Sequence, residues 1–223
     1  MRISIIIPVL DEAPLIVAAL TRLQPLRALG HQVIVVDGGS ADGTAVLSGG
    51  LADNTIQAPR GRAAQMKAGA GVAAGEAFLF LHADTLLPKN AAELVIAALA
   101  NRSWGRFDVR IDSSHRFLAV VGFMMNLRSR ITGIATGDQA IFVSRAAFTA
   151  CGGFPLIPLM EDVALSVKLR QGGAPACLRA RVVTSGRRWE KRGVVTTVVL
   201  MWRLRLAYFL GADPAELAKA YAR

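Results

Sequence analysis

The chain has 223 residues, with 26 Lys and Arg against 16 Asp and Glu, and a formal net charge of +10. That length suits one large domain with a substantial core, and the charge favours anionic partners. Aromatic content of 6%, without helix-turn-helix, zinc-finger or RNP-like patterns, argues against a nucleic-acid binder.

Hydrophobic residues make up 53% of the chain and mean hydropathy is +0.41. No uncharged apolar run reaches the roughly 20 residues of a spanning helix. The start, Met1 to Pro8, is too short and too soon broken by proline for a signal peptide. Cys151 and Cys177 make neither a disulfide framework nor a zinc set. A reducing, cytoplasmic location is the expectation.

Ile3 to Val9 reads as a strand apolar on both faces, hence central. Pro8 is expected to end its ladder. Leu10 to Pro14 opens a helix with acids in its first turn. It runs towards Leu29, with a break expected near Pro25 and Gly30 as its stop. Gln32 to Val36 is a second buried strand, leading into the glycine-rich loop 37–44, with Asp37 at the strand tip. Asp42 reads as the N-cap of the next helix. Thr55 to Ala58 is a short strand. Arg60 and Arg62 then open an alanine-rich helix to about Ala74, a placement that opposes the macrodipole and suits a bound anion.

Phe78-Leu79-Phe80-Leu81 runs straight into His82-Ala83-Asp84-Thr85. Polar residues there would lie in the crevice outside a strand's carboxyl end. Asp84 either holds a divalent cation or caps the helix expected over 88–100. Ser103 to Ile111 alternates polar and apolar, which predicts a strand with one solvated face. His115 to Ile134 is a helix and Gly133 to Gly137 a flexible connection. Asp138 to Val143 returns to the sheet, and a short helix starts at Arg145. Leu159 to Arg170 fits both periods. Helix is preferred, because Glu161 and Asp162 then occupy its first turn and Gly172-Gly173 stop it. One or two strands follow at 176–184, then a basic loop at 185–193. Val194 to Leu210 is a long apolar helix, and Asp213-Pro214 caps the last one, to Tyr221.

Several charged groups thus fall at strand ends and helix starts: Asp37, Arg60 with Arg62, His82 with Asp84, Glu161 with Asp162, and Arg187 with Arg188. In a parallel sheet such ends share one edge. A nucleotide diphosphate would suit them. Asp84 would hold a metal that neutralises the departing diphosphate. Arginines would make bidentate phosphate contacts, and a remaining carboxylate would deprotonate an incoming hydroxyl.

The order of these pieces resembles family 2 glycosyltransferases of the GT-A fold. The matching segments are Ile5 to Glu12, Val35 to Thr44, Leu81 to Asp84, Gly152 to Phe154, and Glu161-Asp162. The resemblance implies a single α/β domain over 1–223 with a mostly parallel sheet. A nucleotide-binding half would span 1–100; an acceptor half with the C-terminal helices would span 101–223. It implies a nucleotide-sugar donor contacted by Pro8, Glu12, Asp37, Arg60, Arg62, His82, Arg187 and Arg188, with uracil the usual base. Asp84 would bind Mg or Mn. Asp162 would be the base of an inverting transfer, supported by Glu161. Two positions depart from the family pattern: His82 replaces the first acid of the metal motif, and Lys67 stands where Asn is commoner. The short length, His82-Ala83-Asp84 and the 187–193 segment resemble a bacterial subgroup found near radical-SAM and selenium- or arsenic-related genes.

A nucleotidyltransferase would carry a glycine-rich basic signature after the first strand, where this chain has Pro8-Val9-Leu10-Asp11-Glu12. A non-catalytic membrane-surface protein would not need Asp37, Asp84 and Asp162 together. The acceptor, a small molecule or a lipid, is left open. Three partners are open for the 194–210 helix: its own sheet, a second subunit in a homodimer, or the inner membrane face. Arg203 and Arg205 near its middle oppose spanning, so any membrane contact would be peripheral.

Overall fold

The computed structural model describes residues 1–222, apart from the side chains of Arg188, Lys191 and Ala222. In chain order the elements are β1 (Ile3–Val9), α1 (Ala13–Ala28), β2 (Gln32–Asp37), α2 (Thr44–Leu47), β3 (Asn54–Gln57), α3 (Arg62–Val72), β4 (Ala77–Phe80) and β5 (Thr85–Leu86). There follow α4 (Ala91–Leu99), β6 (Trp104–Asp112), α5 (Phe117–Thr132), a 3₁₀ turn at Gly137–Gln139, β7 (Phe142–Ser144) and α6 (Arg145–Ala150). The last are α7 (Glu161–Gln171), β8 (Ala176–Ser185), α8 (Arg187–Arg192), α9 (Val194–Phe209) and α10 (Pro214–Ala222).

The strands form one eight-stranded sheet in the order β3-β2-β1-β4-β7-β6-β8-β5. The first four are parallel. β7 runs antiparallel to β4 and β6, and β6 and β8 are parallel again. The expected mostly parallel α/β sheet is therefore present.

β1 explains why that half is buried twice over. Ile3, Ile5, Ile7 and Val9 pack with Ile16, Leu20 and Leu23 of α1. Ile6 faces the other way, against Ala63, Met66 and Ala70 of α3. Period-2 alternation with no polar face means helices on both sides. α3 comes so close that a Cβ on Gly69 would lie 2.5 Å from Ile6 Cγ2.

Several expectations change. β1 continues through Pro8, which is in register with Val36, since proline removes only one donor. Pro25 lies inside an unbroken α1. Asp11 and Glu12 precede that helix instead of entering it; the Ala13 N–H is capped by Asp42 Oδ2 at 2.9 Å. Asp42 also accepts from the Thr44 N–H at 3.0 Å, so one side chain ties two helix starts together, although Gly43 is the N-cap of α2. The solvated face expected for β6 survives only at its end, where Arg110 and Asp112 are exposed. Arg106 and Asp108 are buried and paired with each other, and α5 covers them. The 185–193 segment is mostly helical, as α8.

Candidate active site

The carboxyl ends of β1, β2 and β4 share one edge because the three strands are parallel neighbours. Asp37 ends β2 opposite Val9, and the Gly38 N–H donates to the Val9 carbonyl at 2.9 Å. The Asp37 carboxylate is buried and turned into its own loop. It accepts from the Gly39 and Ser40 N–H groups, each at 3.1 Å, and from the Ser40 hydroxyl. Gln65 of α3 braces the same corner: its Nε2 donates to the carbonyls of Val9 and Val36 at 2.7 and 2.8 Å. Sequence reading passed over Gln65, since a lone amide in an alanine-rich helix carries no motif.

Asp84 lies between β4 and β5, six positions ahead of the α4 N-cap Asn90, so it caps nothing. The short β5 brings the far end of the chain to it. Thr85 pairs with Thr184 of β8, and their hydroxyls lie 3.1 Å apart. β8 then ends and delivers Arg187 beside Asp84. One guanidinium nitrogen of Arg187 lies 3.6 Å from Glu12 Oε2 and 3.8 Å from Asp84 Oδ2. These are ion pairs without hydrogen-bond geometry. Burial pushes the Glu12 carboxyl up, and Arg187 opposes that.

Two carboxylates around one cation suit a divalent ion whose other ligands come from a diphosphate. Among the described residues no three His, Cys, Asp or Glu side chains form a metal cluster by themselves. Asp84, with Glu12 beside it, is the carboxylate that could hold such a cation jointly with substrate.

The other acidic pair is built differently. Glu161 and Asp162 begin α7, as expected, after Met160 in a left-handed conformation at φ 67°. Sparsely populated backbone of this kind concentrates at functional sites. Asp162 Oδ2 accepts from the Gly137 N–H at 2.8 Å, and Oδ1 from the Val163 N–H at 2.7 Å. Glu161 is buried, and burial followed by the neighbouring Asp162 charge pushes its carboxyl up to about 7. Burial raises Asp162 as well, against its two N–H donors and the charge of Arg62. The pair thus keeps a proton towards neutrality.

Gly137 belongs to the connection expected to be flexible. It is instead fixed by a 3₁₀ turn, where Thr136 and Gln139 cap each other. A Cβ on Gly137 would lie 2.7 Å from His82 Cε1. His82 Nδ1 lies 3.4 Å from Asp138 Oδ1. This turn therefore links the β4 end to the α7 start. A three-residue turn has no periodicity, so only the glycine in front of Asp138-Gln139 could have hinted at it.

Of the remaining candidates, Pro8 is within β1. Arg62 faces the α7 pair electrostatically. Arg60 is exposed with no side-chain partner among the described residues, and the Arg188 side chain lies outside them. Two further residues were missed. Nε and Nη2 of Arg128 in α5 are buried without a hydrogen-bond partner; burial lowers its pKa and the charge of Asp162 opposes that. Burial and then the charge of Asp162 raise the Tyr208 phenol, which α9 carries over the α7 start.

An open α/β sheet with acids along its carboxyl edge and an antiparallel strand inserted beside β4 is the architecture called GT-A. The chain belongs to glycosyl transferase family 2, whose model matches residues 4–130, more than half of its length. No curated protein sequence matches it. Solved structures agree on the fold. TarS from S. aureus in complex with UDP-GlcNAc superposes with a TM-score of 0.68 at 19% identity, over 83% of this chain and 58% of that one. The mannosyltransferase PcManGT from Pyrobaculum calidifontis, in complex with GDP-Man and Mn2+, gives 0.66 at 23% identity, over 99% and 69%. Glucosyl-3-phosphoglycerate synthase from Mycobacterium tuberculosis, in complex with Mn2+, UDP and glucosyl-3-phosphoglycerate, gives 0.67 at 16% identity, over 95% and 81%. The chain thus spans about three fifths of the TarS chain.

Proposed function

We propose that this protein transfers a sugar from a nucleoside-diphosphate donor to an acceptor hydroxyl, with inversion and with a divalent cation. The observation that carries the reading is that two acidic groups lie at either end of the His82–Asp84 segment, Asp84 beside Arg187 and His82 against the Gly137 turn that bonds Asp162. Glu12 and Asp84 flank Arg187 at one end, and Glu161 and Asp162 form a buried pair at the other. The nucleoside lies against the Asp37 loop and Arg60, and Arg187 meets the diphosphate. A cation bound at Asp84 supplies charge neutralisation for the leaving diphosphate. Asp162, aimed by the Gly137 and Val163 N–H groups, accepts the proton of the acceptor hydroxyl. Glu161 and Arg62 set the charge around that base. His82 orients the Gly137 turn, which is consistent with its place between the two ends.

The relatives bind UDP- and GDP-linked donors, and a UDP-linked sugar is the first to test. The likeness to the short subgroup near radical-SAM genes belongs to the same proposal and gives no acceptor. The test is incubation of the purified chain with a panel of nucleotide sugars, with Mn2+, Mg2+ or chelator, and detection of released nucleoside diphosphate. Metal-dependent release, with a product of inverted anomeric configuration by NMR, is expected. Release of pyrophosphate from nucleoside triphosphates instead would replace this reading with nucleotidyl transfer.

A further inference from the structure

A second feature lies away from this cleft. A cavity of about 360 Å³ opens between α5 and the β6–β8 part of the sheet, and none of its lining residues belongs to the cleft. Its walls include Leu118 and Phe123 of α5, and its rim carries Arg110, Arg130, Arg179 and Arg181 against the single acid Asp108. Asp108 is already paired with Arg106 and Arg130. Arg179 and Arg181 are exposed and have no ion pair or side-chain hydrogen bond among the described residues.

The outer side of α5 continues this surface as an apolar ridge. Phe117, Val120, Met124, Leu127 and Ile131 recur at spacings of three and four, so they share one helix face. They are 38% to 76% exposed, and Phe123, which also lines the cavity, is 63% exposed. Leu118, Val121 and Asn126 point inward. An amphipathic helix whose apolar side faces solvent marks an interaction surface.

We propose that this face docks the protein on an anionic lipid bilayer. The α5 ridge would sit at the headgroup boundary, with the arginine rim against lipid phosphates. Charge complementarity favours lipid over a second copy of the chain. A two-fold contact over α5 would bring one arginine rim towards the other, a like-charge arrangement. No helix among the described residues is long and apolar enough to cross a membrane, so the contact is peripheral. α9, the segment singled out from sequence for this role, buries Val194, Thr197 and Leu204 against its own chain but also exposes Val195, Val199, Trp202, Leu206 and Phe209; the adjoining cavity with its arginine rim is what distinguishes α5.

The test is sedimentation of the full chain with vesicles of phosphatidylcholine alone, and of phosphatidylcholine with phosphatidylglycerol, at low and high salt. Binding to the anionic vesicles only, weakened by salt, is expected. Arg179→Gln with Arg181→Gln should lower partitioning about 25-fold, at about fivefold per arginine near an anionic surface. Phe123→Ser with Leu127→Ser should lower it further at low salt. All four positions are exposed, and an unchanged melting temperature with unchanged nucleotide-diphosphate binding serves as the fold control. No pelleting with anionic vesicles, or pelleting that both variants leave intact, would overturn the proposal. So would a dimer in light scattering that the Phe123→Ser, Leu127→Ser variant splits, which would make the face a self-association surface.

Discussion

The two acidic ends of the cleft use the same functional groups in opposite surroundings. Glu12 and Asp84 are half-buried and share a mobile-length cationic side chain, Arg187, at distances longer than hydrogen bonds. Glu161 and Asp162 face no guanidinium within ion-pair distance among the described residues; burial raises both. The first arrangement suits exchange of one cation for another. The second suits holding and moving a proton. A buried adjacent pair of carboxylates cannot both ionise cheaply.

Removing the base breaks the comparison most severely. Asp162→Asn keeps the shape but only one of the two acceptors, so either the Gly137 or the Val163 N–H loses its partner, and the side chain no longer takes a proton. Turnover should fall on the order of a hundred- to ten-thousand-fold, with donor affinity nearly unchanged in a direct binding titration. Loss of donor binding instead would make Asp162 a positioning group.

Arg187→Gln sharpens the other end. Without nucleotide, Mn2+ has one fewer competing cation and should bind up to about fivefold tighter, the scale of an exposed ion pair. With nucleotide, loss of a charged phosphate contact should weaken binding roughly tenfold or more. Opposite signs in the two titrations are the diagnostic result. Equal weakening in both would mean that Arg187 holds the site together structurally.

Gly137→Ala tests the link between the ends. Gly137 does not occupy the left-handed region, so only space is at issue. Its Cβ would press on His82, with a stability loss of about 1–3 kcal/mol typical of overpacking. A drop in melting temperature accompanied by lower turnover is expected; a tolerated methyl with full activity would remove the turn from the account.

A further prediction concerns pH. The folded-state pKa of Glu161 is raised from 4.5 to about 7, so the folded chain holds this proton more tightly than the unfolded chain. Its contribution is complete below about pH 4.5 and is lost as pH rises towards 7. The loss is at most about 3 kcal/mol. Glu161→Gln should flatten that fall in chemical denaturation curves measured across this range. An unchanged slope would mean that Glu161 is ionised in the folded protein.

What the sequence made legible follows the same division. β1, β2 and β4 were readable because strands buried on both faces leave apolar runs that end abruptly in polar loops, and Asp37 and Asp84 stand at those ends. α7 was readable because the acids and the Gly172-Gly173 stop agree on a helix. β6 was misread only in its first part, because alternation reports polarity, not exposure: Arg106 and Asp108 satisfy each other inside the protein, whereas Arg110 and Asp112 are exposed. Pro8 and Pro25 were overweighted as breakers where the surrounding structure absorbs one missing donor. The Gly137 turn, Gln65, Arg128 and Tyr208 act only through contacts across the fold, at separations no local pattern encodes. Arg187 could be nominated as a basic residue, but its position between Glu12 and Asp84 depends on the β5–β8 pairing.

The central claim is that Asp84 serves the cation and diphosphate while Asp162 serves the proton. Its most direct test is calorimetric titration of uridine diphosphate, with guanosine diphosphate as the second probe, in the presence and absence of Mn2+. The titration is run on the wild-type chain, Asp84→Ala and Asp162→Asn, each checked for an intact fold by its melting transition. Metal-dependent binding should persist in Asp162→Asn and vanish in Asp84→Ala. Tight, metal-dependent binding to Asp84→Ala would contradict the account.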